Sequence, residues 1–294
     1  SGDSACCLPS VSLGEQALQL IRRWTEALAL ALKVQGLINL QFAVQRDAEG
    51  EEVVYIIEAN PRASRTVPFV AKATGVPLAR IATRLMTGET LADVGLLAEP
   101  QPPLQAVKEA VLPFRRFPGA DSVLGPEMRS TGEVMGSARE FGMAYAKAEL
   151  AAGDALPTSG RVFLSTHDRD KQALVPVALR LIELGFELTA TSGTAQALQQ
   201  AGLEVSSVLK VHEGRPNIED LIRSGGIQLA INTPIGRQAA HDDRYIRRAA
   251  LDYSVPTVTT LAGARAAVEA IAALQAETLS IHALQDVHQT MPSH

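Results

Sequence analysis

Cysteine is nearly missing from this 294-residue chain: Cys6 and Cys7 stand side by side with no spaced partners, which excludes a disulfide framework and a zinc-ligand spacing alike. Aromatic residues are scarce as well, with one Trp, four Tyr and seven Phe. That is too few for an all-β protein, whose strand surfaces draw on aromatic and β-branched side chains, and it favours an α/β architecture. Positive charge is not in excess, since 27 Lys and Arg face 32 Asp and Glu for a formal charge of -5. With no basic stripe interleaved with aromatics, a nucleic-acid partner is not expected, although a local cluster still allows small anionic metabolites. Neither a run of about eighteen apolar residues nor a basic segment leading into an apolar one occurs, so no membrane span and no secretion signal is expected. A reducing cytoplasm fits these absences. An initiator Met is missing too, and Ser1-Gly2-Asp3-Ser4-Ala5 leads straight into structured-looking sequence, as in a fragment or a processed chain.

What is present has the length of two domains. Leu13, Ala17, Leu20, Ile21, Trp24, Leu28, Leu32 and Val34 recur at helical spacing, with Ser12 as the expected cap, Glu15 three residues on and Gly36 as the stop. Residues 37–44 and 53–58 read as two strands of an antiparallel hairpin around Asp47-Ala48-Glu49-Gly50. Short helices are expected over 68–74 and 78–86, and a strand over 106–112 after the proline-rich Glu99 to Pro103. Pro113 to Gly136, with Phe114, Phe117, Leu124 and Met128, reads as an ordered loop, followed by a helix over 137–150 and a domain boundary at Gly153-Asp154. From Gly160, apolar strands near 161–165, 186–191, 206–210, 228–232 and 257–260 alternate with helical patterns, which predicts a five-stranded open parallel sheet covered on both faces. The sequence beyond about Gln275 is weakly patterned, and 289–294 are expected to fray.

Two groups of residues carry chemistry. In the first, Gln41 and Glu58 fall on paired strands, and Glu58 and Asn60, two apart, share a face if the strand continues. A carboxylate with amide oxygens suits Mg²⁺, which is commonly held by one or two carboxylates together with substrate phosphates. Arg62 and Arg65 follow and could neutralise a transferring phosphoryl group. The ordinary alternative is a strand end in which Glu58 pairs with Arg62 or Arg65. In the second group, Thr191-Ser192-Gly193-Thr194 joins a strand to a helix, where hydroxyls and N–H groups can cradle a phosphate. Ser165 and Thr166 end the first strand, Lys171 opens the next helix, and Lys210 and Asn232 end the third and fourth strands, all on the edge where open α/β sheets bind ligands. Each residue alone also reads as a cap or a surface group; His212, Arg215 and Arg237 either line the pocket or face solvent, and His167 reads as a loop histidine.

The segments Asn39 to Val44, Ile57 to Val70, Gly125 to Gly136, Lys210 to Pro216 and Ile231-Asn232-Thr233 resemble the carboxy-terminal half of the carbamoyl-phosphate synthetase large subunit, and the likeness runs through essentially the whole chain. The resemblance implies that residues 1–153 form the C-terminal part of an ATP-grasp domain that phosphorylates carbamate with ATP. Residues 154–294 would form a methylglyoxal-synthase-like allosteric domain. It implies Mg²⁺ or Mn²⁺ on Gln41, Glu58 and Asn60, with Arg62 and Arg65 at the phosphates and the transition state. It further implies uridine or inosine monophosphate as effector on Ser165, Lys171, Thr191, Thr194, Lys210 and Asn232, and ornithine at Asp3, Glu109 and Thr259. The remainder of the large subunit and a small glutamine amidotransferase subunit would be partners, serving pyrimidine and arginine synthesis.

Two departures stand out. The hairpin is about five residues longer than is usual in the family, an insertion that a turn tolerates at little cost, and Pro234 replaces an effector-binding threonine of some relatives. Because the chain carries no glycine-rich phosphate loop or lid before residue 12, it is not expected to complete the reaction alone. A regulatory module without turnover is the competing reading. Methylglyoxal synthase chemistry needs a carboxylate base, and the Thr191 loop has none beside it.

Overall fold

The computed structural model describes residues 3–117, 127–233 and 237–289. Leu124 and Pro234 therefore lie outside the described residues, as do 290–294 and the side chain of Arg237. In chain order the elements are β1 (Cys6–Leu8), α1 (Glu15–Ala31), β2 (Asn39–Arg46), β3 (Glu52–Asn60), α2 (Thr66–Thr74), α3 (Leu78–Met86), β4 (Gln105–Val111), β5 (Gly132–Ala138), α4 (Phe141–Ala152) and β6 (Arg161–Thr166). These are followed by α5 (Lys171–Glu183), β7 (Glu187–Thr191), α6 (Ser192–Gln200), β8 (Ser206–Val208), α7 (Ile218–Arg223), β9 (Leu229–Thr233), α8 (Arg237–Asp252), β10 (Thr257–Val258), α9 (Leu261–Ala276) and α10 (Leu284–Gln289). They divide between two compact units, one of Cys7–Gln105 with Ile281–His294 and one of Ser1–Cys6 with Ala106–Ser280.

In the unit of Cys7–Gln105, the hairpin forms as the alternating sequence requires. β2 and β3 pair antiparallel with Gln41 opposite Glu58 and Asn39 opposite Asn60, and the register shifts between Gln41 and Phe42. The turn closes because Asp47 Oδ1 accepts the N–H groups of Glu49 (3.1 Å) and Glu51 (2.8 Å). Its longer loop leaves the Gln41 and Glu58 pairing intact. Helix α1 is shorter than its apolar pattern and is not capped by Ser12: the N-cap is Gly14, whose N–H is taken by Glu52 Oε2 at 2.8 Å. The helix stops at Ala31, ahead of Lys33 in the left-handed region (φ 51°), so Gly36 lies in the connection that follows. Tyr55 and Ile57 on β3 are 51% and 62% exposed. α10, which the sequence pattern did not predict, is tied to α2 by a 2.7 Å hydrogen bond between the His288 ring and the Lys72 carbonyl.

In the other unit, β6 to β10 form a parallel sheet in the order β10-β9-β6-β7-β8. All five residues of β9 are buried, as a strand covered on both faces must be. Phe163, Ile218, Ile222, Ile227, Ala230, Ile246 and Ala250 make one continuous core. Val162 and Leu164, also buried, turn to the opposite face by strand alternation. Entry into the central pair is fixed by Gln228, whose Oε1 accepts the Arg161 N–H at 2.7 Å while its Nε2 donates to Gly225 O at 2.8 Å. Gly160, at φ 114°, makes this possible, because a Cβ there would lie 2.3 Å from Gln228 Oε1. β4 and β5 belong to a separate three-stranded sheet of order β1-β4-β5. β5 lies in what reads as a loop in the sequence, its pattern diluted by Gly132 and Gly136.

Candidate functional site

At the end of the hairpin, Glu58 and Gln41 face each other across the strands, so their side chains leave from one face. Asn60 Nδ2 donates to Glu58 Oε1 at 2.8 Å. Of the alternatives left open by the sequence, the strand-end ion pair does not form: Arg62 Nη1 bonds the Ala63 carbonyl at 3.1 Å, and among the described residues Glu58 makes no salt bridge to Arg62 or Arg65. Arg65 occupies the N-cap of α2 without a side-chain cap bond. A guanidinium at the positive end of a helix is electrostatically unfavourable until an anion joins it. The donor set, one exposed carboxylate with two amide oxygens, is hard and oxygen-only, which fits Mg²⁺ or Mn²⁺ that completes its shell on phosphate or water. Among the described residues no three His, Cys, Asp or Glu side chains form a self-sufficient metal cage.

The second group assembles at the carboxyl ends of β6, β7 and β9. Ser165 lies opposite Asn232 and Thr166 opposite Thr233. The chain reverses its direction of sheet growth at β6, and the crevice at such a reversal is where open α/β sheets bind ligands. Thr191 is the N-cap of α6, yet its hydroxyl makes no cap bond; it contacts Ser165 Oγ and Thr194 Oγ1, each at 3.4 Å. Thr194 Oγ1 in turn accepts the Thr166 N–H at 3.2 Å. Two buried groups at this edge have no partner among the described residues, Asn232 Nδ2 and Thr166 Oγ1, and Asn232 is 1% exposed. A buried amide donor without a partner costs free energy unless a ligand or water satisfies it. The Lys171 ammonium sits over the start of α6, since a Cβ on Gly193 would lie 3.0 Å from its Nζ. This is a cradle of hydroxyls, one amide, helix N–H groups and one ammonium, and its chemistry is that of an anion site.

Lys210 is not a strand end: β8 stops at Val208, and Lys210 lies in the following turn, its N–H bonded to Glu213 Oε2 at 2.8 Å. Arg215 is drawn to Asp220 at 3.6 Å, and His212 is exposed. His167 is a loop residue whose Nδ1 accepts the Arg169 N–H at 3.4 Å. A feature that spacing did not flag is the contact between Lys171 Nζ and Asp168 Oδ1 at 2.7 Å. Only the i, i+3 offset signals it in the sequence, and that offset is common.

The remaining site candidates occupy separate settings. Asp3 is buried, with Oδ2 accepting the Arg129 N–H at 2.6 Å and Oδ1 the Ser130 N–H at 2.9 Å. Glu109 on β4 accepts the Ala110 N–H at 2.9 Å, and burial pushes its carboxyl above the usual range. Thr259 is exposed just past β10. Near Glu109, burial and then repulsion from neighbouring carboxylates raise Glu149 to about 7, while burial raises Asp154 against the lowering charge of Arg115.

Residues 1–94 match the family described as carbamoyl-phosphate synthase L chain, ATP binding domain, and residues 173–259 match the MGS-like domain. The carbamoyl phosphate synthase large chains of Synechocystis sp. and Nostoc sp. are 58% and 56% identical, each alignment covering 97% of this chain and 26% of the relative. That of Acidobacterium capsulatum is 55% identical over 98% of this chain and 26% of its own length. The chain thus spans about a quarter of these relatives. The biotin carboxylase domain of a single-chain bacterial carboxylase aligns with 24% identity and a TM-score of 0.39, covering 50% of this chain and 39% of that one, a likeness too slight to inform the fold. No described helix is long and apolar enough to cross a membrane. With both domain matches in this order and relatives of more than half identity along nearly its whole length, the chain belongs to the carbamoyl phosphate synthase large-chain family.

Proposed function

We propose that this chain is the C-terminal portion of a glutamine-dependent carbamoyl phosphate synthase large chain, joining part of a carbamate-phosphorylating ATP-grasp domain (1–153) to a regulatory domain (154–294) that binds a nucleoside monophosphate. The first assignment rests on family membership together with the oxygen donors at the hairpin end. Gln41, Glu58 and Asn60 would hold Mg²⁺ or Mn²⁺, which supplies charge neutralisation to the polyphosphate of ATP. Arg62 and Arg65 lie beside those donors in sequence and carry the charge needed at a transferring phosphoryl group. Carbamate is a weak, short-lived nucleophile, so alignment and water exclusion by the whole enzyme do most of the catalytic work. The remainder of the large chain and a small glutamine amidotransferase subunit are the partners of this reading, pyrimidine and arginine synthesis its destinations, and the cytoplasm its place.

The observation that carries the regulatory assignment is the unpartnered, buried Asn232 amide opposite Ser165, beside the Thr191, Thr194 and Lys171 cradle. A phosphate monoester supplies the acceptors these donors lack, and uridine or inosine monophosphate is the family-based choice, with Lys210 at the rim. By the same correspondence Asp3, Glu109 and Thr259 belong to an ornithine site. A diamine cation next to Glu109 would oppose the burial that raises its pKa. Methylglyoxal synthase chemistry is not favoured, because the Thr191 to Thr194 turn itself offers hydroxyls and no carboxylate, and the carboxylate that reaches the cradle's ammonium, Asp168, is exposed and paired with Lys171.

Calorimetric titration of the 294-residue chain tests the regulatory assignment. We expect uridine or inosine monophosphate to bind, with affinity falling about tenfold or more in Lys171→Ala and in Thr194→Ala, the usual cost of losing a charged or buried hydrogen-bond partner. Binding of ATP with no response to either monophosphate would sink it and leave a chain without this regulation.

A further inference from the structure

The cradle contains its own anion. Asp168 begins the short turn after β6, is 87% exposed, and places Oδ1 2.7 Å from Lys171 Nζ. The Lys171 side chain is only 22% exposed, and its ammonium lies over Gly193 at the first turn of α6. Its hydrogen bond to Asp168, with the charge behind it, holds that carboxyl below the usual range. Among the described residues, Lys171 is the one hydrogen-bond and ion-pair partner of the 87% exposed Asp168 side chain, which can therefore swing toward water when a better partner arrives for the lysine. The unsatisfied groups belong to the same sheet edge: among the described residues Asn232 Nδ2 and Thr166 Oγ1 have no partner, although Lys171 already has Asp168. A carboxylate on a three-residue tether satisfies the lysine and leaves those two donors unmet. A phosphate monoester offers three oxygens and more charge, and can meet all of them.

We propose that Asp168 is an internal competitor for the phosphate site, holding Lys171 in the free protein and yielding it to a phosphate monoester. The inference rests on the cradle being a phosphate site. Its consequence is selectivity: an anion must outbid a carboxylate already in contact, so monoanions and carboxylates are disfavoured relative to a phosphate dianion. Asp168 thereby sets affinity and selectivity without touching the bound ligand.

Asp168→Asn tests this, because it keeps the shape of an exposed side chain and removes its charge. Inorganic phosphate and uridine monophosphate are titrated by calorimetry into the wild-type chain, Asp168→Asn, Lys171→Ala and the double variant. We expect Asp168→Asn to bind both ligands about threefold to tenfold tighter, in line with relief of one exposed ion pair and of repulsion from the dianion. In the Lys171→Ala background the same replacement should change affinity less than about twofold. Unchanged or weaker phosphate binding in Asp168→Asn overturns the proposal. So does a gain of equal size without Lys171, which marks a general charge effect, or a loss confined to the nucleotide, which marks a contact to its ribose. If neither the wild type nor Asp168→Asn binds phosphate, the anion-site reading falls and takes this inference with it.

Discussion

Glu149 holds a carboxyl where the fold does not want a charge. Burial is the main cause of its raised value of about 7, Glu109 and Asp154 add repulsion, and the Tyr145 hydroxyl, donating to it, opposes both. Because the folded state keeps this proton from the ordinary value of 4.5 up to about 7, the folded state binds more protons than the unfolded one in that window. Stability therefore falls as pH rises through it. Arg115, 3.3 Å from Asp154, is the neighbouring cation. We expect Glu149→Gln to stabilise the chain by about 2 kcal/mol at pH 8, with the gain shrinking toward zero near pH 4.5, as read from urea unfolding at the two pH values. An equal effect at both would contradict the assignment. This cluster was not legible from spacing, since β4, α4 and the turn after it meet only in three dimensions. Residue identities at the carboxyl ends of β6, β7 and β9 were legible, because strand ends in a βα succession converge by topology.

Helices α4 and α9 approach so closely that a Cβ on Gly142 would lie 2.5 Å from the Glu269 carbonyl oxygen. On the other side of α4, β5 crosses with Gly136, where a Cβ would meet Ala144 O at 2.1 Å. Glycine is needed at both crossings for space. Gly142→Ala should force the helices apart and cost about 2 kcal/mol or more, seen as a lowered midpoint in thermal unfolding; a stability gain, the usual result of Gly→Ala in a helix, would refute the crossing. Glycine also explains why β5 was not legible, since Gly132 and Gly136 remove the side chains that would have written a strand alternation. The parallel strands were legible because burial on both faces writes each as a continuous apolar run, as in Ala230-Ile231 and Val162-Phe163-Leu164. The end of α1 was not: Leu32 and Val34 continue the helical period, and the break at Lys33 is set by its backbone and not by composition.

At the scale of the molecule, the compact units interleave along the chain, and residues 106–153 cluster with the parallel-sheet residues although we assign them to the ATP-grasp part on family grounds. A local reading of composition sees a proline-rich stretch or a helix end, and has no access to which segments return to one another. The hairpin end with its carboxylate and arginines is exposed, and so is the apolar face of β3 at Tyr55 and Ile57. Phosphoryl transfer to carbamate requires the opposite, a closed and dry site. We therefore expect the 294-residue chain alone, with Mg²⁺ and ATP, to show no carbamate-dependent ADP release above the protein-free rate; sustained turnover would show that no further covering is required. One last feature governs the other site from a distance. Gln228 clamps the entry of β6 and β9, about four residues and some 13 Å of strand away from the cradle, and this clamp supports the register that puts Ser165 opposite Asn232. A slip of one residue there would turn Asn232 to the far face. Selection for altered nucleotide affinity would thus recover substitutions at Gly160 and Gln228, at the floor of the sheet, that never meet a ligand.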